Sequence, residues 1–359
     1  MFSLLKNNVY DLPTNSGLNY YWCSGFVLSG TIVIQIITGV LLSLLYVADQ
    51  NLSFACVMGF SNEDLSLWFV RYFHIWGASG IFILLFIHMF RGLYYGSFNK
   101  GYVWSIGFIL YLLMMVEAFL GYILPWHQMS YWAATVLTGV VQSVPFIGSI
   151  VYNYIVGGFG VTNVTLVRMF AAHVILAFVI LGLIVIHLFY LHSQGSNNSL
   201  SLKNGYSDSV YFHHYYSIKD LLAVASFIFF IVILLLISPD LVLDSEAYLS
   251  ADPLTTPVNI KPEWYFLFYY AMLRSISSKI GGLVLVIVFI FIFWLPFSSN
   301  KSGSSYSILF QFNFWLIVSS LLILTYLGAC HPEWPYDWVS FIFSLLVIIL
   351  FFNLKFLNF

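Results

Sequence analysis

The sequence contains very little charge. Only 7% of its 359 residues are Asp, Glu, Lys or Arg, and 61% are hydrophobic, whereas soluble domains carry about 25% charged residues. No soluble fold of this length can cover so much apolar surface, so the lipid bilayer must be the main solvent of the chain. The formal net charge of −2 gives no basic surface for a nucleic-acid partner.

Cysteine is also scarce, and its three positions, Cys23, Cys56 and Cys330, form no CxxC or CxxCH pair. This pattern argues against a disulfide framework, a thiolate zinc site and covalent haem attachment. We interpret each cysteine as a small buried residue. The polar segment 1–22 lacks the features of a secretory signal or a transit peptide, so we expect insertion into the membrane where the chain is made.

Long apolar runs dominate the rest of the sequence. Eight of them are long enough to cross a bilayer, and they predict an all-α polytopic membrane protein with eight transmembrane helices. The predicted spans are 23–46, 66–92, 103–124, 164–190, 219–238, 280–299, 306–328 and 337–357. The segments 125–163 and 239–279 between them are too long for simple connectors, and long ordered loops are usually functional.

Basic residues are distributed unequally between the two predicted faces. The face of the termini carries three acids and seven basic residues, namely Lys6, Arg91, Lys100, Lys203, Lys219, Lys301 and Lys355. The other face carries five basic residues and ten acids. By the positive-inside rule, both termini lie on the more negative compartment side, which is the matrix in a mitochondrion.

Four histidines form a regular pattern in the second and fourth predicted spans. His74 and His88 are 14 residues apart, as are His173 and His187. Fourteen residues are two heptads, so each pair occupies one helix face, at levels roughly 21 Å apart. Because both spans run in the same direction, His74 is level with His173, and His88 with His187. Such pairs suit two six-coordinate haems that transfer electrons.

Glycines repeat the same interval in the first and third spans, at Gly25 and Gly39 and at Gly107 and Gly121. Glycine permits close approach, and we expect side chains there to strike a flat macrocycle. The first four spans therefore predict a four-helix bundle with two haems in its core.

Arginines flank both histidine levels. Arg71 precedes His74 by three residues, and Arg91 follows His88 by three. Both are candidate partners of anionic haem propionates, because guanidinium groups favour bidentate carboxylate contacts. Alternatively, each arginine lies at the membrane interface and extends its charged head group towards water.

Several segments resemble the cytochrome b family, in its mitochondrial and bacterial form. The resemblance extends from about Gly25 to Gly282, and PEWY at 262–265 together with the spaced histidines is its most specific part. The segments that carry it include RYFHIWGASG (71–80), HMFRGLYYG (88–96), GYILPW (121–126), HLFYLHSQGSNN (187–198), DPLTTP (252–257) and IKPEWYFLFYYAMLRSI (260–276).

This resemblance implies a quinol-oxidising subunit of a respiratory bc1 complex (complex III) with two haems b and two quinone sites. At the outer site, quinol would deliver one electron to a Rieske iron–sulphur partner and one to the haem of the first pair. The second haem would then reduce ubiquinone at the inner site, contributing to a proton gradient. The resemblance further implies cytochrome c1 as a partner, a homodimeric complex, and a location in the mitochondrial inner membrane.

The resemblance also implies roles for particular residues. Glu263 would accept a proton from quinol and Tyr265 would line the outer pocket, whereas His192 and Asp220 would supply protons at the inner site. A simple helix start is the alternative for PEWY. For His192, the alternative is a histidine at the membrane interface. For Asp220, it is an acid stabilised by the dipole at a helix N-terminus.

Four residues depart from the family pattern and hint at a divergent protist lineage such as the apicomplexans. His127 and Ala133 replace usual glycines, Glu117 replaces a small or apolar residue, and Ser277 replaces a usual proline. The detailed shape of the outer pocket is therefore the least predictable part of the chain.

We divide the chain into 1–200, the dihaem bundle with the first long loop, and 201–359, the C-terminal helices with the PEWY loop. A dihaem anchor of a quinone-linked dehydrogenase is one rival, but it needs fewer helices and no second long loop. A transporter with histidine proton relays is another, but it predicts internal repeats and broken helices.

Overall fold

The computed structural model describes residue 6 and the ranges 10–199, 208–295 and 306–356. These parts of the chain are mainly α-helical and contain twelve α-helices. In chain order they are α1 Ser24–Ser43, α2 Ser53–Asn62, α3 Leu65–Tyr94, α4 Gly101–Ile123, α5 Gln128–Gln142, α6 Gly148–Val156, α7 Asn163–Gln194, α8 Phe212–Ile237, α9 Leu267–Arg274, α10 Lys279–Trp294, α11 Ile308–Ala329 and α12 Tyr336–Phe356.

Seven of the described helices are long and apolar enough to cross a membrane: α1 with the turn Tyr20–Cys23 before it, α3, α4, α7, α8, α11 and α12. The chain is thus a multi-pass membrane protein, as predicted. The predicted span 280–299 corresponds to α10, a shorter apolar helix of 16 residues, and residues 296–299 lie outside the described residues. The described residues also exclude residue 357, Lys203, Lys301 and the predicted boundary between residues 200 and 201.

The ends of the histidine-bearing helices have clear local causes. Asp64 caps α3, where its carboxylate accepts hydrogen bonds from the amides of Ser66 (2.7 Å) and Leu67 (3.0 Å). At the start of α7, Thr162 and Thr165 form a reciprocal capping box. Helix α7 ends at Gln194 and is followed by Gly195, whose φ of 70° suits glycine.

The first four long helices pack as a bundle, with α1 against α3 and α4 against α7. Helix α8 packs on the outside of this bundle, against α1 and α3. Helices α9 to α12 pack mainly on one another, and α10 also touches α4. The four predicted haem-binding spans therefore form one bundle, and the later helices lie beside it.

The two long loops join each other on one side of the bundle. The Trp126 carbonyl accepts from the amide of Ala251 (3.1 Å), and the Gln128 amide donates to the Leu249 carbonyl (2.9 Å). The Gln128 side chain also bonds the Thr255 carbonyl (3.0 Å) and the Asp252 amide (2.8 Å). Two segments far apart in the sequence thus form one continuous wall.

One small sheet departs from the all-α prediction. Strands β1 (Pro13–Asn15) and β2 (Ser209–Tyr211) pair antiparallel, with Thr14 opposite Val210. This ribbon ties the N-terminal segment to the start of α8.

Candidate functional site

The four histidines meet in two pairs inside the bundle. The ring centroids of His74 and His173 are 6.4 Å apart, with planes at 83°. Those of His88 and His187 are also 6.4 Å apart, with planes at 63°. The structure therefore brings together the partners that equal spacing on α3 and α7 predicted.

This separation fits one metal ion between two imidazoles. A metal-bound imidazole nitrogen lies about 2.0–2.1 Å from the ion. Two such bonds in line, with roughly 1.1 Å from each nitrogen to its ring centroid, place the centroids roughly 6.3 Å apart. Across the described ranges, His, Cys, Asp and Glu side chains form no ion site of three or more. A haem, which carries its own equatorial donors, therefore suits each pair better than a bare ion.

Hydroxyl groups of α1 hold the two histidines of α3. Thr38 Oγ1 lies 2.8 Å from Nδ1 of His74, and Ser24 Oγ lies 3.1 Å from Nδ1 of His88. Each hydroxyl belongs to the residue before one of the spaced glycines. An interaction at Nδ1 fixes the ring orientation and leaves Nε2 free for a metal.

The two histidines of α7 make different contacts with helix α4. Nδ1 of His173 lies 3.1 Å from the main-chain oxygen of Glu117 and 3.0 Å from its carboxylate Oε1. Nδ1 of His187 faces the main chain at Val103, but no hydrogen bond of normal geometry forms there. Only His173 of the four thus has a carboxylate at Nδ1.

The spaced glycines lie against the histidine rings. A Cβ added at Gly25 would be 3.1 Å from Cε1 of His88, and one at Gly39 would be 3.2 Å from Cε1 of His74. The glycines of α4 are tighter still: a Cβ would lie 3.0 Å from His187 at Gly107, and 2.8 Å from His173 at Gly121. The space beside these glycines is therefore required by the imidazole rings, whereas the sequence pattern predicted that a macrocycle would occupy it.

The two flanking arginines have different surroundings. Arg91 is half-buried, and its guanidinium lies 5.4 Å from the Trp22 ring. Its Nε is buried and has no hydrogen-bond partner among the described residues. Such an orphaned donor near His88 suits an anionic propionate. Arg71 is buried, and it donates a hydrogen bond to Ser61 Oγ.

A cavity of about 270 Å³ adjoins the first histidine pair. His74, His173 and Glu117 line it together with Glu263 and Tyr265 of the second long loop. Most of the remaining lining is apolar. We call this space the His74 cavity.

The PEWY segment closes the His74 cavity against α3. The Tyr265 ring stacks on Phe82, with centroids 3.9 Å apart and planes 3° apart, and Trp264 Nε1 donates to Ser79 Oγ (3.3 Å). Glu263 is the N-cap of the short helix Trp264–Phe266, but its side chain makes no capping hydrogen bond. Its carboxylate is therefore not used to start the helix, and Pro262 precedes the cap rather than occupying the first helical position.

Family comparisons agree with this architecture. The family model "Cytochrome b/b6/petB" matches residues 9–195, and the model "Cytochrome b(C-terminal)/b6/petD" matches residues 250–348. The chain belongs to the cytochrome b/b6 family. Membership of this family implies haem b binding.

A solved structure has the same architecture as this cytochrome b/b6 chain. It is described as a hyperthermophilic respiratory Complex III, with a TM-score of 0.89 and 28% sequence identity. The match covers 99% of this chain and 95% of the other.

Burial strongly changes the acidity of the Glu263 carboxyl group in this cytochrome b/b6 chain. Desolvation, followed by the charge of Asp244, raises the pKa of its carboxyl to about 7, and Lys261 partly opposes the rise. Lys261 itself forms an ion pair with Asp244 (3.1 Å). A carboxyl group with this pKa can exchange a proton near neutral pH.

His127 has a structural use that its sequence position did not reveal. Its Nδ1 accepts from the amide of Ser130 (3.0 Å), so the ring caps α5. Burial, followed by the positive charge of Arg71, lowers the pKa of His127 to about 3. The ring is therefore neutral at physiological pH, with its proton on Nε2, and it can donate a hydrogen bond into the His74 cavity that it lines.

The two residues predicted for an inner site lie near the other end of the bundle. His192 is in the last turn of α7 and half-buried, and Asp220 is buried on α8 beside Cys23. Within the described ranges they make no ion pair or hydrogen bond with each other. Their joint role in this cytochrome b/b6 chain stays a prediction.

Some site residues were missed by the sequence analysis. Ser24 and Thr38 are themselves 14 residues apart, so the interval that singled out the glycines would have found them too. The contact of Glu117 with His173 had no such signal, because it depends on the register between α4 and α7.

Proposed function

We propose that this chain is the dihaem cytochrome b subunit of a respiratory bc1 complex, or Complex III. The observation that carries the proposal is the pair of equal 6.4 Å histidine separations at two levels of one bundle. The likeness to a respiratory Complex III structure over nearly the whole chain supports it. In such a complex, the subunit takes part in quinol–cytochrome c oxidoreductase activity.

His74 with His173, and His88 with His187, would each hold one non-covalent haem b. When bound there, the two haems would supply one-electron transfer between the two levels of the bundle. Arg91 is the propionate partner that its orphaned Nε supports, and Arg71 is the candidate at the other level. Gly25, Gly39, Gly107 and Gly121 give the rings the room that they require.

The His74 cavity is the proposed outer site for ubiquinol. Glu263 accepts a proton there, since it lines the cavity and the pKa of its carboxyl is about 7. Tyr265 forms an aromatic wall, held in place by stacking on Phe82. One electron of the quinol passes to a Rieske iron–sulphur protein and the other enters the bundle, so that the oxidation is bifurcated.

The inner site for ubiquinone is assigned to the region of His192 and Asp220, near the second histidine pair. His192 ends α7 only five residues after His187, and a histidine and a carboxyl can deliver the two protons that quinone reduction consumes. Protons released at the outer site and consumed at the inner one contribute to a gradient across the membrane.

The proposed setting is the mitochondrial inner membrane, with both termini on the matrix side. The excess of basic residues on the face of the termini supports this orientation. Cytochrome c1, the Rieske protein and a second copy of the complex are the proposed partners.

A reduced-minus-oxidised optical spectrum of the purified complex, with haem quantitation, tests the proposal. We expect a b-type band and two haems per chain, together with quinol-dependent reduction of cytochrome c. A haem-free protein would support a transporter instead. Two haems without cytochrome c reduction would favour the anchor of a quinone-linked dehydrogenase.

A further inference from the structure

We propose that Glu117 is a positioning residue that lowers the midpoint potential of the haem held by His74 and His173. The inference rests on the proposed function, since it requires a haem at that pair. It concerns one carboxylate and one of the four ligand imidazoles.

Glu117 approaches Nδ1 of His173 to hydrogen-bond distance with two of its oxygen atoms. Oε1 of Glu117 lies 3.0 Å from Nδ1 of His173, and the main-chain oxygen of the same residue lies at 3.1 Å. Two acceptors at one nitrogen place the proton on Nδ1, so that Nε2 presents its lone pair to the metal. Glu117 thus orients His173 with both its main chain and its side chain.

Both partners are largely shielded from water. The relative exposure of the two side chains is 12% for Glu117 and 19% for His173, and Oε2 of Glu117 is buried without a hydrogen-bond partner among the described residues. Water therefore screens this carboxylate poorly, and its charge acts on its neighbours more strongly than a surface charge does.

The arrangement is specific to one of the four ligands. Val103 is the residue of α4 that corresponds to Glu117 at the other level, 14 positions earlier, and it offers no side-chain acceptor to His187. The two histidines of α3 meet the hydroxyls of Ser24 and Thr38. An effect of the carboxylate should therefore be confined to one haem.

The sign of the effect follows from electrostatics. A carboxylate at Nδ1–H increases the electron density that the imidazole donates through Nε2. It also adds a negative charge near an iron that gains an electron on reduction. Both contributions favour the ferric state, and hydrogen bonding around the ligands is a recognised determinant of haem potential. A lower potential at the His74 level increases the driving force for electron transfer towards the His88 level.

The test is a potentiometric titration of Glu117→Gln in the assembled membrane complex, followed by optical and electron paramagnetic resonance spectra. Glutamine keeps a carbonyl acceptor and nearly the same volume but removes the charge. We expect a positive shift in the midpoint potential and altered g-values for one haem, and no change in the other. Repeating the titration in a His88→Leu background, which leaves only the haem of interest, assigns the shifted component.

Two controls separate charge from other causes. Val103→Gln places the same amide beside His187 without a change in charge, so any shift that it causes should be confined to the haem of His88 and His187. Glu63→Gln removes an exposed acid elsewhere and should shift neither haem. Should Glu117→Gln fail to assemble, near-infrared magnetic circular dichroism of the unmodified ferric protein replaces it. One haem should then show a ligand with more imidazolate character than the other.

The outcomes distinguish this inference from the proposed function. Absence of haem from the wild-type complex would overturn both. Two normal haems with an unchanged potential in Glu117→Gln, equal shifts in both haems, or identical charge-transfer bands in the wild type would overturn the role of Glu117 and leave the proposed function standing.

Discussion

Tyr265 lies flat against Phe82, with ring centroids 3.9 Å apart and planes only 3° apart. Phe82 belongs to α3, midway between the two histidines of that helix, and Tyr265 belongs to the PEWY segment. The stack therefore fixes one wall of the His74 cavity directly to a helix that carries two proposed haem ligands.

We predict that Phe82→Leu loosens this wall without removing a haem. Aromatic pairs contribute about 0.5–1.5 kcal/mol beyond burial of their area, so thermal stability should fall modestly. The KM for quinol should rise while haem content stays at two per chain. Steady-state kinetics with haem quantitation checks this, and Phe291→Leu, on a half-exposed face of α10, is the matched control. An unchanged KM would show that the stack does not shape the quinol site.

We predict that His88→Leu removes one haem and leaves the other. The two pairs share no ligand, and the Thr38 contact of His74 is independent of the Ser24 contact of His88. Reduction of the remaining haem by quinol should persist, whereas electron delivery to the inner quinone site should stop. Redox titration with haem quantitation is the measurement, and two intact haems in the variant would contradict the ligand assignment.

We predict that Gly121→Val prevents haem binding at the His74 pair. Its Cβ would lie 2.8 Å from Cε1 of His173, so the imidazole must move, and overpacking of this kind costs about 1–3 kcal/mol. Gly182→Val is the control, because a Cβ at Gly182 on α7 meets nothing within 4 Å. Equal haem content in the two variants would show that the clearance at Gly121 is unimportant.

We predict that Glu263→Gln slows quinol oxidation and removes its dependence on pH near neutrality. A general base works only when deprotonated, and the pKa of Glu263 is about 7; the wild-type rate should therefore fall as the pH drops below that value. The expected loss is about 10²- to 10⁴-fold at pH 8. Mixing-initiated haem reduction between pH 6 and 9, with the inner site inhibited, measures it.

The exposed Glu333 provides the control for that experiment, as Glu333→Gln. It should leave both the rate and its pH profile unchanged. A Glu263→Gln enzyme with a normal rate and a normal profile would reduce PEWY to a structural element.

We predict that His127→Ala lowers stability by about 1 kcal/mol through loss of the α5 cap, whereas His127→Asn retains the cap. The folded state depresses the pKa of His127 from 6.5 to about 3, so the unfolded chain binds the extra proton between these values. The corresponding stability is present above pH 6.5 and is lost as the pH falls towards 3. Thermal melts from pH 4 to 8 should show a flatter profile in both variants; an unaltered slope would contradict this.

Much of this architecture was predictable from periodicity alone. Apolar runs located the long helices, and the 14-residue interval matched His74 with His173 because helices of known direction have a fixed rise per residue. Helices α5 and α6 were not located within their loop, because their apolar character does not differ from that of the surrounding segment. The pairing of β1 with β2 depends on a contact between distant segments, which local patterns do not encode.

The pairing of the four histidines was predictable from the sequence, but the groups that contact their Nδ1 atoms were not. The glycines were found by their spacing, yet the atoms that they accommodate are the histidine rings. The sequence marked His127 as a replacement for a usual glycine, whereas in the structure its Nδ1 accepts a hydrogen bond from an α5 amide. That difference arises from a main-chain turn whose geometry the sequence does not specify.

The wall that the two long loops form bears on how selectively a small molecule can bind this chain. Two of its hydrogen bonds, from Ala251 to Trp126 and from Gln128 to Leu249, join main-chain atoms only, and such bonds tolerate changes of side chain. Relatives can therefore keep the same cavity outline while presenting different chemistry inside it. An inhibitor that accepts a hydrogen bond from His127, or that carries a cation to Glu117, would discriminate this chain from relatives that lack those groups.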